Sequence, residues 1–158
     1  MRLPFTRRAL CLAGMLTAFA SAGEAQTVPE FQRILDTYSV ALDANDVEAL
    51  VGLYSADGVF MREGMKAAVG QDALRASYKT IFATLKVRLK FSLQEAEQSG
   101  ELGWARALST GTVKVLSTGA ETQESFNQLV VFRREGGTWK IRSYLFASDR
   151  AEPGQIPK

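Results

Sequence analysis

No histidine occurs anywhere in the 158-residue chain. That absence removes the Ser-His-Asp and Cys-His nucleophile systems, which need an imidazole to carry the proton. It also removes a histidine-ligated haem. Cys11 is the only cysteine, so ordinary zinc sites, built mostly from His and Cys, are excluded as well. No loop has EF-hand spacing, and no Gly-rich phosphate-binding signature is present. No metal and no cofactor are expected. The groups left for chemistry are Asp, Glu, Tyr, Lys, Arg, Ser and Thr.

What is present first is an export signal. Arg2, Arg7 and Arg8 make a basic start, residues 9–20 are apolar and small, and Ala20, Ser21, Ala22, Gly23 and Ala25 offer cleavage points. Charge, length and exit together read as a cleavable signal peptide over 1–25. The apolar run is shorter than the roughly 20 residues a membrane span needs, so no stable span is expected after cleavage. The expected location is periplasmic or secreted, with Arg7 and Arg8 allowing the twin-arginine route. A cut after Ala25 removes Arg2, Arg7, Arg8 and Glu24, so the formal net charge of +2 falls to 0. The basic balance therefore belongs to the signal, and nothing in the mature chain argues for nucleic acid. Cys11 leaves too, so the mature chain forms no internal disulfide although its compartment permits one. The remainder is long enough for one domain with a core of its own.

Thr27 to Glu30 reads as a capping box, with Thr27 as N-cap. Phe31, Ile34, Leu35, Tyr38 and Leu42 then mark an amphipathic helix to about residue 44. Asp46 can cap a second helix carrying Val47, Leu50, Val51 and Tyr54. A turn at 55–58 opens a strand at Val59, Phe60 and Met61. A loop over 64–70 leads to the longest clean helix, 71 to about 85, with Leu74, Tyr78, Ile81, Phe82 and Leu85 at three- and four-residue steps. The period then changes to two. Val87, Leu89, Phe91 and Leu93 alternate with polar residues, the mark of a half-buried strand. Turns at 98–101, 118–120 and 135–137 separate three further strands, with Gly111 a bulge or bend inside the first. The tail at 150–158 is read as loose. The order is α, α, β, α and then four consecutive antiparallel strands, whose apolar side needs the helices as cover.

In this order and spacing the chain resembles the nuclear transport factor 2-like superfamily, in its SnoaL-like and ketosteroid-isomerase-like branch. Leu53 to Phe60, Val69 to Leu74 and Val130 to Ile141 carry the resemblance, which covers nearly all of 28–149. It implies an α+β fold with a cone-shaped, curved antiparallel sheet wrapped around N-terminal helices, an internal pocket, and often a homodimer formed sheet to sheet. The domain is placed at 26–149. The resemblance fixes no reaction, because the same cone hosts isomerases, cyclases, dehydratases, hydrolases and binding modules.

Ketosteroid isomerases use an aspartate base with an oxyanion hole of Tyr and protonated Asp. The resemblance implies a base near the end of the strand after Asp57. That stretch reads Val59, Phe60, Met61, Arg62, Glu63 and holds no aspartate. Glu63 can substitute if it points inward; otherwise it forms a surface ion pair with Arg62. Asp57 fits turn chemistry, and the catalytic candidates are Glu63, Tyr54 and Asp57. Tyr38, Tyr54 and Tyr78 sit on helical stripes, as core residues with satisfied hydroxyls or as donors to a ligand carbonyl. The expected pocket lining is Tyr38, Tyr54, Met61, Tyr78, Phe82, Trp104, Arg106, Asn127 and Tyr144. An inward Arg106 would need a carboxylate such as Glu124 or an anionic ligand; an outward one needs neither. Asn127 is open to the same choice.

Two functions follow. One is an exported module holding a small apolar molecule in the cone, which requires only an apolar pocket and a few polar anchors. The other is an isomerase-, cyclase- or dehydratase-type enzyme moving a proton on a small apolar carbonyl compound, which requires a base in the cavity. The absence of histidine and of the expected aspartate favours the first.

Overall fold

The computed structural model describes residues 24–149, with side chains from residue 29 onward. The tail at 150–158 and all of the expected signal peptide but Glu24 and Ala25 lie outside the described residues. Among the described residues no helix is long and apolar enough to cross a membrane.

Helix α1 (Glu24–Ala44) begins ahead of the expected cap, so Thr27 lies inside it. Ala25 and Gln26 are good helix formers and carry the helix back past Thr27. Its end is well defined. Asn45 takes φ 55°, the Asp46 amide donates to the Ala41 carbonyl and the Asn45 amide to the Leu42 carbonyl. This is a Schellman stop with Asn in the left-handed position. Asp46 then caps α2 (Val47–Gly52), its carboxylate accepting from the Ala49 amide at 2.9 Å.

Helix α2 stops at Gly52, and Tyr54 is already the first residue of β1 (Tyr54–Arg62). The expected turn at 55–58 is thus inside a strand. Between Tyr54, which faces Ile141, and Val59, which faces Ser143, β1 spends five steps where its partner spends two. The surplus is a bulge. Gly58 makes it sterically feasible, since a Cβ there would lie 2.9 Å from the Ser55 carbonyl oxygen and the Tyr54 Cβ. The segment expected as a loop contains a short strand, β2 (Ala68–Val69), and α3 (Gln71–Thr84) follows as the periodicity predicts.

The four long strands are β3 (Leu85–Ser99), β4 (Leu102–Val115), β5 (Glu121–Glu135) and β6 (Thr138–Ser148). They pair consecutively and antiparallel, and the six-stranded order is β2-β1-β6-β5-β4-β3. The sheet is mixed rather than purely antiparallel, because β1 runs parallel to β6. That pairing is reached through the long crossover a parallel pair requires.

Helix α1 fills the concave side. Phe31 stacks on Phe132 with ring centroids 4.1 Å apart and meets Trp139 edge-on at 5.1 Å. The Gln32 amide fixes the helix to β3, donating to the Phe91 carbonyl and accepting from the Leu93 amide, each at 3.0 Å. Beneath the helix β4 presents Gly103, Ala105, Ala107 and Ser109, and the last three are essentially inaccessible. Small residues are obligatory there. A Cβ on Gly103 would sit 2.5 Å from the Phe31 ring.

Gly111 bends β4 where it crosses β3, opposite Leu89. A Cβ at this position would collide with the Arg88 carbonyl oxygen, a backbone atom that cannot turn aside. Gly111→Ala is expected to lower the unfolding free energy in urea by about 1–3 kcal/mol, the usual cost of overpacking. Gly52→Ala, whose Cβ meets nothing within 4 Å, is the control and should be neutral or mildly stabilising.

Candidate functional site

Between the last two turns of α1, α3 and the sheet lies a cavity of about 160 Å³. Its walls come from α1 (Tyr38, Leu42), β1 (Phe60, Arg62), α3 (Tyr78, Ile81) and the inner faces of β3 to β6. Alternation on the strands decides the lining. Phe126 and Gln128 on β5, and Tyr144 and Phe146 on β6, face inward two residues apart.

The chain has four tyrosines, and all four meet here, each no more than 4 % exposed. Tyr78 is central. Its hydroxyl lies 2.6 Å from that of Tyr38 and 2.8 Å from that of Tyr54, and in each pair either oxygen can donate. Tyr144 crosses Tyr38 edge-on, with ring centroids 5.2 Å apart, and donates to the Gln128 side-chain oxygen at 2.9 Å. Gln128 in turn donates to the Ser109 hydroxyl. Phe60 stacks on Tyr78 at 5.0 Å and on Tyr144 at 5.5 Å. The arrangement is an aromatic wall threaded by buried, partnered hydroxyls, as buried polar groups require.

Burial pushes all four phenols well above the ordinary range, and for Tyr38, Tyr54 and Tyr78 the repulsion between neighbouring phenolates adds to it. At neutral pH they are protonated hydrogen-bonding groups. Among the described residues, no Asp or Glu lines the cavity, and no group of three or more Asp and Glu is placed to hold a metal.

The structure sorts the candidate residues. Tyr38, Tyr78 and Tyr144 line the cavity. Tyr54 stands one layer behind, hydrogen-bonded to Tyr78, and it does so from a strand rather than a helix. Phe82 is also behind, its ring 6.3 Å from that of Tyr78. Met61, Trp104, Arg106 and Asn127 are not in the lining. Met61 alternates with the inward Phe60 and Arg62, and Asn127 with Phe126 and Gln128. Trp104 and Arg106 are turned to the outer face because the inner positions of β4 beneath α1 admit only small side chains. There Arg106 pairs with exposed Glu95 at 3.3 Å rather than with Glu124.

The catalytic candidates also lie elsewhere. Asp57 is clasped on the surface by Arg133 at 2.6 Å and Arg142 at 3.4 Å. Arg133 holds its carboxyl below the usual carboxylate range. Glu63, in the turn after β1, accepts from the Ser148 amide at 3.1 Å and forms no ion pair with Arg62 among the described residues. Gln128 and Ser109 were not singled out in the sequence. The signal for them was Gly103, Ala105, Ala107, Ser109, a small residue at every second position marking the inner face of β4.

The outer face of the sheet carries a second concavity, a groove of about 590 Å³ lined by Leu102, Trp104, Leu129 and Val131 among others. Leu102, Leu129 and Leu145 are 53 %, 45 % and 41 % exposed.

Comparison with known proteins agrees with this geometry. The family model of the SnoaL-like domain matches residues 34–143. A ketosteroid isomerase-like protein from Erwinia carotovora atroseptica superposes with a TM-score of 0.74 at 26 % identity, over 80 % of this chain and 98 % of that one. A protein from Catenulispora acidiphila, solved in complex with S-DNPA, superposes at 0.70 and 19 % identity, over 79 % and 95 %. An NTF2-like protein with a cystatin-like fold from Novosphingobium aromaticivorans gives 0.62 and 21 %, over 79 % and 83 %. The last two share the fold alone. No curated protein matches the chain.

The protonation of the tyrosines has a measurable consequence. A phenol whose pKa is raised by folding stabilises the fold fully below its unfolded pKa, near 10, and that stability is lost as pH rises beyond it. Unfolding free energy should stay level to about pH 10 and then fall by up to about 1.4 kcal/mol per pH unit for each buried tyrosine. Urea titrations with ultraviolet detection of phenolate should show ionisation and unfolding together. Phenolate formation in the intact fold below that range would contradict the buried hydroxyl string.

Proposed function

The chain belongs to the SnoaL-like domain family, and from that premise we infer that it is an exported protein holding a small apolar molecule in the cone. The observation that carries this reading is the content of the cavity. It has aromatic and aliphatic walls, the neutral polar groups Tyr38, Tyr78, Tyr144 and Gln128, a single cation, Arg62, and no carboxylate. An apolar pocket with a few polar anchors is what binding requires. A donor kept neutral and poorly hydrated suits a ligand carbonyl.

Proton transfer on a carbonyl compound would also need a base within hydrogen-bond reach of the substrate. Asp57 and Glu63 are occupied on the surface, and the buried tyrosines are protonated. The family supports the enzymatic alternative, whereas the chemistry of this wall favours binding. Export rests on the basic and apolar start of the sequence. The favoured assembly is a homodimer through the outer sheet face, where exposed leucines flank Trp104; contiguous apolar surface of this kind marks interaction sites.

Native mass spectrometry of the gently purified mature protein tests both parts. A dimer carrying a defined small mass is expected. Leu129→Asp should shift the population to monomer while the retained mass stays. Asp57→Asn and Glu63→Gln should leave ligand retention within about two-fold, since neither carboxylate lines the cavity. A conversion of carbonyl substrate that collapses with Glu63→Gln would instead establish the enzymatic alternative.

A further inference from the structure

The one charged side chain among those lining the cavity is Arg62, at the last position of β1. It is half-buried and has no carboxylate within ion-pairing distance among the described residues. Among the described residues its side chain meets the Phe60 ring, the guanidinium carbon lying 5.9 Å from the centroid, at the outer limit of about 6 Å for a cation–π contact. The other nearby carboxylates are committed. Glu63 accepts from the Ser148 amide, and Asp149 accepts from Ser125 and Asn127. Across the sheet Arg62 faces Phe146, whose ring meets Phe126 edge-on at 5.3 Å. A cation thus stands on a wall that is otherwise phenyl, alkyl and neutral hydroxyl.

A guanidinium presents a planar fork of donors matched to a carboxylate, and it pairs best where water is partly excluded. We propose that the ligand is a small monocarboxylic acid with an aromatic or compact apolar body, its ring in the cavity and its carboxylate on Arg62. The proposal rests on the reading of this cavity as a ligand site and adds the sign and class of the ligand. Size agrees. A dry apolar cavity of about 150 Å³ accepts a benzene ring, and this one measures about 160 Å³. Tyr38 and Tyr78, which line the same cavity, can neither repel an anion, being protonated, nor replace the arginine as its counter-charge.

Phenylacetate and its neutral isostere phenylacetamide separate the charge from the body. Each is titrated into the full mature protein at neutral pH and low ionic strength, followed by shifts of the cavity aromatic resonances. The same is done for Arg62→Gln and Arg62→Lys. Phenylacetate is expected to bind about ten-fold more tightly than the amide, the worth of one charge-assisted contact. Arg62→Gln should bring the two ligands together by weakening phenylacetate more than the amide, and continued shifts of the cavity aromatic resonances by the amide report that the cavity is intact. Arg62→Lys should retain part of the preference. Equal affinities in the wild type, or a preference that survives Arg62→Gln, would overturn the carboxylate assignment while amide binding leaves the cavity reading standing. Failure of both ligands to perturb the cavity resonances would overturn both.

Discussion

The inner face of β4 is set by one contact, the Phe31 ring of α1 against Gly103. Phe31 approaches so closely that Gly103 cannot carry a side chain, and the strand answers with Ala105, Ala107 and Ser109 below it. A strand has only two faces. Once the inner one is reserved for small residues, Trp104 and Arg106 must be outside. The apolar outer groove is therefore partly a by-product of how tightly the helix sits. The cavity lies further along the same helix, where Tyr38 and Leu42 of α1 face Tyr78 and Ile81 of α3 across the sheet's inner side chains.

The charges follow a second constraint, the bulge in β1. Packing surplus residues into a strand turns Asp57 outward, where Arg133 and Arg142 bind it. Arg133 also holds Glu135 at 2.6 Å. The carboxylate of the helix–strand junction is consumed in fastening β1 to the β5–β6 hairpin. A motif that resembles the approach to a catalytic aspartate serves here as a clasp, and the wall it leads to ends in a cation.

Much of this was legible in the sequence, for identifiable reasons. The two-residue alternation of Val87, Leu89 and Phe91 and the helical spacing of Leu74, Tyr78 and Ile81 identified β3 and α3, because each pattern has one buried face. Asp46 announced its cap. Tyr54 misled because 47, 50, 51 and 54 is also a helical stripe; the helix yields at Gly52, where the Ile141 amide donates to the Leu53 carbonyl and tertiary pairing takes over. Residues 55–58 read as a free turn because a bulge needs glycine for the same close approach a turn does. For Trp104, Arg106 and Asn127 alternation supplies the partition but not the side. For Trp104 and Arg106 the side was decided by Phe31, a residue about seventy positions away in sequence, although the run of small residues in β4 recorded its effect.

The hydroxyls of Tyr38, Tyr78 and Tyr54 form a line of three oxygens joined by two hydrogen bonds. Three protons serve two bonds, so one proton is left over at an end of the line. Rotating three C–O bonds reverses every donor and acceptor, because a phenol can play either part. No heavy atom moves. The wall therefore has two polarities of nearly equal packing, one ending in a proton and the other in a lone pair. Tyr54 is behind the cavity lining, so at the Tyr38 end the wall can offer either a donor or an acceptor without repacking the core.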